Sequence, residues 1–190
     1  MKKRNSFRPW KQGDLDTFCG QTSICTALRL CAGVKVLGQR QSEELYAAIA
    51  EHLLVSGHLR SIIRGGIHDS QYWFALRFAI NFMARRHGIQ IKASRPFLRK
   101  NDLSLRNLVA DLRVFLSEPR RAAVISYQTF DHAHYTVVRD LSARSLFLAD
   151  SSDRSMLHLK ACTVGEREPS KAYRYVIAVP STVFVSMIEG

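Results

Sequence analysis

Cys19 stands in the segment Gln12-Gly-Asp-Leu-Asp-Thr-Phe-Cys19-Gly-Gln-Thr-Ser-Ile, where a polar, turn-rich approach gives way to helical periodicity. From Gly20 to Cys31 the apolar positions Ile24, Ala27, Leu28 and Cys31 recur at helical spacing, which puts Cys19 at or just inside a helix N-terminus. A thiol there meets the positive end of the macrodipole and unsatisfied backbone amides, and both favour thiolate. The same amides can donate to a developing oxyanion, with the Gln12 side chain as a second donor. Most free cysteines are small buried apolar residues instead. The Gly after Cys19, the Gln before it and the polar approach shift the balance toward a nucleophile. Asp16, Thr17 and Thr22 offer cap-type side chains. Asp14 and Asp16 suit capping or loop shaping, because a carboxylate would repel an oxyanion.

A thiol nucleophile needs a base, and the base needs an orienting acid. The stretch from Asp131 through His134 to Asp150 reads as a β-hairpin turning near Asp140 to Arg144. A turn centred on Ser142 sets His134 directly opposite Asp150, with both side chains on one face. Asp150 would then fix the imidazole tautomer and stabilise the imidazolium. A shift of one residue in the turn would undo the match. His132 is the rival base, ranked second because Asp131 and Ala133 look like loop.

These residues require elements to hold them. Helical patterns run over Gln41 to Val55, over Asp69 to His87 with Asp69 or Ser70 opening it and Gly88 closing it, and over Leu103 to Leu116. A short β-like piece covers Ile89 to Lys92. Beyond Pro119 the period becomes strand-like, at Ala122 to Tyr127, His134 to Val138, Ser145 to Ala149, Tyr173 to Val179 and Val183 to Met187. Helices first and an antiparallel sheet second is an α+β layout with segregated layers. We expect one domain over residues 1–190, with 1–118 mainly helical and 119–190 mainly β.

At 190 residues, 46% hydrophobic and 23% charged, the chain is composed like a globular protein and is long enough for a sizeable core. Its longest apolar stretches, around Phe74 to Met83 and Val176 to Ile188, are interrupted by polar residues or Pro180, so no membrane span is expected. The basic segment Met1 to Gln12 leads into no apolar stretch, so a cytoplasmic protein is expected rather than a secreted one. Cys19, Cys25, Cys31 and Cys162 lack zinc-site spacing, and steps of six residues turn a helix by about 240°, scattering the first three thiols. No metal is expected, and Cys25, Cys31 and Cys162 read as reduced core residues. The net charge of +12 invites an acidic partner. The cations are dispersed and lack the interleaved aromatics of an RNA platform, which ranks nucleic acid below a solvated basic surface.

In the order Gln12, Cys19-Gly20, His134-Tyr135-Thr-Val-Val138 and Leu148-Ala149-Asp150, the chain resembles the papain-like cysteine peptidase superfamily, and within it the bacterial bacteriocin-processing, C39-like peptidases. Two anchored segments, about a fifth of the chain, carry the likeness. Phe18 stands where C39-like sequences often have an acid, and Gln12 lies one residue further from the cysteine than in papain. The resemblance implies a helical half bearing the nucleophile, packed on a sheet bearing His134 and Asp150, with a cleft between them. It implies a cofactor-free hydrolase of amide or isopeptide bonds in a protein or peptide substrate. The basic surface suggests that this substrate is acidic and is met in a cytoplasm, the producing cell's own or one to which an effector is delivered. The same triad could instead serve an acyltransferase or deamidase, and an inactive domain of this kind could bind an acidic partner.

Overall fold

The computed structural model describes residues 18–100, 102–152, 154–165 and 168–188. The first described part of the chain is helical: α1 (Cys19–Ala32), α2 (Gln39–Val55), α3 (Leu59–Gly65) and α4 (Asp69–His87). Strand β1 (Ile91–Ser94) and helix α5 (Leu105–Leu116) follow, and then β2 (Arg121–Gln128), β3 (Ala133–Leu141), β4 (Ser145–Ala149), β5 (Met156–His158), β6 (Cys162–Val164) and β7 (Tyr175–Met187). The protein is α+β, with an N-terminal helical half and a C-terminal sheet that is antiparallel except where β6 pairs β7.

Local chemistry sets several boundaries. Gly88 takes the left-handed conformation (φ 67°) that stops α4, as its position past the last apolar residue predicts. Ser104 caps α5 by accepting the Asn107 backbone N–H at 3.2 Å, so that helix opens two residues later than the periodicity alone suggests. At the start of α1, Thr22 does not act as a cap. Its hydroxyl donates back to the Phe18 carbonyl at 3.1 Å, and no side chain caps Phe18. Asp14, Asp16 and Thr17 lie outside the described residues.

The sheet order is β1-β7-β2-β3-β4-β5. Two expected strands at its centre are one, because Pro180 lies inside β7. The pairing of β7 with β2 shifts between Ser126↔Ala178 and Val124↔Val183, so Pro180 falls in a bulge where its missing N–H breaks no ladder bond.

Six consecutive buried residues in β2 show that the sheet is covered on both faces. Val124, Tyr135, Val137, Ala149, Val183 and Val185 pack beneath α1, α2 and α4. Ala123, Ile125, Tyr127, Val138, Leu148 and Ile177 pack with Phe97 and with Leu108 and Leu112 of α5. The layers therefore interleave. Strand β1 joins the sheet through β7, and α5 covers the face opposite α1. Among the described residues no helix is long and apolar enough to cross a membrane.

Candidate active site

Cys19 is the first residue of α1, where the helical pattern places it. Gly20 follows for a packing reason. A Cβ there would sit 2.3 Å from Cγ2 of Ile67, so only glycine lets the first turn of α1 approach that side chain. The Cys-Gly pair thus has a structural cause as well as its place in the motif. No acidic residue occupies the first turn, which leaves the helix's positive end uncompensated by a side chain of its own. Gln12, the expected oxyanion donor, lies outside the described residues.

His134 is near the start of β3, the strand that lies beside α1. Alternation sends Tyr135 and Val137 under α1 and gives His134 the parity of Val138, against Tyr127 on β2. The imidazole is fully buried, and its Nε2 stands 3.1 Å from each oxygen of Asp150. Cys19 acts on the same ring as an electrostatic neighbour, and with Nε2 held by Asp150 the nitrogen left for it is Nδ1. The structure thus brings Cys19, His134 and Asp150 together.

The route to that meeting differs from the expected hairpin register. Val137 pairs with Ala149 and Val138 with Leu148, so Thr136, not His134, stands opposite Asp150. Nearer the turn the pairing becomes Asp140↔Phe147, and the shift leaves Arg139 as a bulge. A displacement of two residues preserves the face, and the diagonal i, j±2 neighbour remains within side-chain reach. The acid therefore meets the imidazole diagonally.

Asp150 is buried at 2% exposure and fixed by Ser152, whose backbone N–H and hydroxyl both donate to Oδ1, at 2.6 and 2.5 Å. Burial alone would raise the carboxyl's pKa, but the hydrogen bond and charge of His134, with the Ser152 bonds, hold it below the ordinary value. Burial likewise pulls the imidazole's pKa down most strongly. Hydrogen bonds to Asp150 and Cys19, with their charges, outweigh it and push His134 up to about 10. Each partner thus favours the charged form of the other. His132, the rival base, is exposed in the loop before β3, its ring 6.1 Å from that of His134 in an edge-on arrangement, and its Nδ1 faces Thr129.

The sequence pattern does not reveal a pair of tyrosines in the neighbourhood of Cys19. Tyr72 and Tyr135 stack at 4.4 Å, and both feel the Cys19 charge. Tyr72 shares a 3.3 Å hydrogen bond with Ser23, while Tyr135 donates to Asp69. The Asp69 carboxylate also accepts from Ser181 at 2.7 Å and from Arg95 at 3.2 Å, so it joins α4, β3, β7 and the segment after β1. As the first residue of α4, Asp69 reads in the sequence as a helix opener. The only signal of its wider role is the bulge around Pro180 that aims Ser181 at it.

The other three thiols are unbridged and buried, and burial pushes each up to about 12. Among the described residues no group of three His, Cys, Asp or Glu side chains could hold a metal ion. No protein-family model matches the chain, and no curated protein matches it closely enough to count as a relative.

Proposed function

We propose that the chain is a cysteine hydrolase of the papain-like, C39-like kind, a peptidase or isopeptidase that cleaves an amide bond in a protein or peptide. One observation carries the reading: a thiol at the first residue of a helix partners a buried imidazole whose other nitrogen holds a buried carboxylate. Imidazolium next to sulfur favours the thiolate. In the first step Cys19 Sγ attacks the carbonyl carbon, and first-turn amides of α1 donate to the oxyanion. His134 Nδ1 then protonates the departing amine, leaving a thioester and a neutral imidazole. In the second step the same nitrogen takes a proton from water, whose oxygen displaces the thiolate and releases the acid. Asp150 keeps Nε2 protonated and oriented throughout.

An amine in place of water would turn the same thioester into acyl transfer, and incubation with a labelled amine separates the two outcomes. The burial of Cys19, at 4% exposure, favours a second reading, a catalytically inactive module that binds an acidic partner. Native-state alkylation by iodoacetamide, followed by peptide mass against pH, distinguishes them. Rapid labelling of Cys19 at pH 6 to 7 that slows about a hundredfold in His134→Ala is the expected result. Slow labelling indifferent to His134 would sink the hydrolase reading.

A further inference from the structure

Beyond the two tyrosines that adjoin the imidazole lies a guanidinium that no described carboxylate pairs. Nη1 of Arg154 donates to the Tyr175 hydroxyl, its central carbon stands 5.1 Å from the centre of the Tyr175 ring, and it also hydrogen-bonds Tyr127. These partners are phenols. Among the described residues no carboxylate pairs with Arg154, and its Nε is buried without an acceptor. Arg154 is half-buried and lines the surface here, and the planar fork of Arg matches a carboxylate in two bonds. The described chain supplies no such group here.

Three depressions run together from this point. The first, about 440 Å³, is lined by residues 129–132 together with Arg154, Lys171, Arg174 and Tyr175. A second of about 540 Å³ shares those last four residues and adds His158 and Lys160. A third, about 610 Å³, continues past His158 and Lys160 to Arg144. Five Lys and Arg residues thus line the band, and Asp131 is its only described carboxylate. None of the five forms an ion pair with a described residue. The triad residues do not line the band, but its inner end lies close to them: the His132 ring is 6.1 Å from that of His134, and Tyr175 connects to His134 through the buried Tyr127 by ring contacts of 5.6 and 5.5 Å.

We propose that this band holds a run of Asp and Glu residues in the substrate, adjoining the bond that Cys19 attacks. The proposal rests on the reading of Cys19 as the nucleophile. Cations spaced along one joined band fit successive carboxylates, each able to take a charge-assisted hydrogen bond. A nucleic acid strand would stack its bases on open aromatic faces, of which the band offers the exposed Phe130 while a face of Tyr175 is occupied by Arg154, so one ring stands against five cations.

Synthetic peptides of six glutamates and of six lysines, each carrying an iodoacetyl group at one end or the other, test the band directly. Cys19 displaces iodide from the bound probe. The readout is the rate of Cys19 labelling by peptide divided by the rate with iodoacetamide, on the full chain. We expect the glutamate probe to exceed the lysine probe at least tenfold at low salt. That preference should fall to near unity in Lys171→Glu/Arg174→Glu, whose side chains are exposed, and to fall in part in Arg154→Gln. Iodoacetamide reactivity without a glutamate preference would overturn the band while leaving the nucleophile in place. An inert Cys19 would remove the reading beneath it. An iodoacetyl oligothymidylate of equal charge that labels faster, with the same dependence on Lys171 and Arg174, would overturn the peptide in favour of nucleic acid.

Discussion

The two ends of α1 carry the same side chain in opposite circumstances. At the N-terminus Cys19 has as neighbours a buried imidazole, a first helical turn without an acidic residue and two stacked tyrosines. Near the C-terminus Cys31 is sealed in the core, donates to the Val185 carbonyl at 3.3 Å, and is pushed up to about 12 by burial. Composition cannot tell them apart, because thiol chemistry depends on what stabilises the anion. Burial is common to both, so the difference lies in the partner.

The largest effect expected is in labelling. Under native conditions Cys19 should react with iodoacetamide at least a hundred times faster than Cys25, Cys31 or Cys162, measured by peptide mass. Equal rates would erase the contrast between the two ends. Next in size is Asp150→Ala, which leaves a buried imidazole unpaired and should cost about 3 to 5 kcal/mol in urea unfolding. The gap between wild type and this variant should depend on pH with a definite sign. His134 is raised from 6.5 to about 10, so its contribution is fully present below pH 6.5 and lost as pH rises toward 10. Asp150 is lowered from 3.8, so its contribution is present above that value and lost in stronger acid. The gap is therefore widest between about pH 4 and 6.5, and a gap that grows toward pH 10 would contradict the pairing.

A smaller effect belongs to Gly20→Ala, whose methyl would overlap Ile67. It should cost about 1 to 3 kcal/mol, and the cost should fall when Ile67 is also cut to Ala. Smallest is Cys31→Ala, at about 1 kcal/mol, with the labelling rate of Cys19 retained.

How much of this was legible varies with the kind of signal. The bounds of α4 and β4 match their sequence patterns residue for residue, because strong periodicity is closed by Gly88 in one and by the hairpin turn in the other. The meeting of His134 with Asp150 followed from a register that was wrong by two, and it survived because an even displacement keeps side chains on the same face. Short elements escaped. The seven residues of α3 and the three each of β5 and β6 are too few to show a period. Arg154, Tyr127 and Tyr175 escaped for another reason, since only the packing of β2 against β7 brings the two tyrosines together.

Strand β7 has a consequence for biosynthesis. It is the last strand in sequence among the described residues, yet it lies inside the sheet between β1 and β2, and its Ser181 reaches back 112 positions to Asp69. A nascent chain that has not yet emerged past β7 lacks the strand that joins β1 to β2 and one of the three groups on the carboxylate that steadies Tyr135. Contacts so distant in sequence form late and slowly. On the ribosome, the surroundings of Cys19 would remain incomplete until nearly the whole described chain had been made.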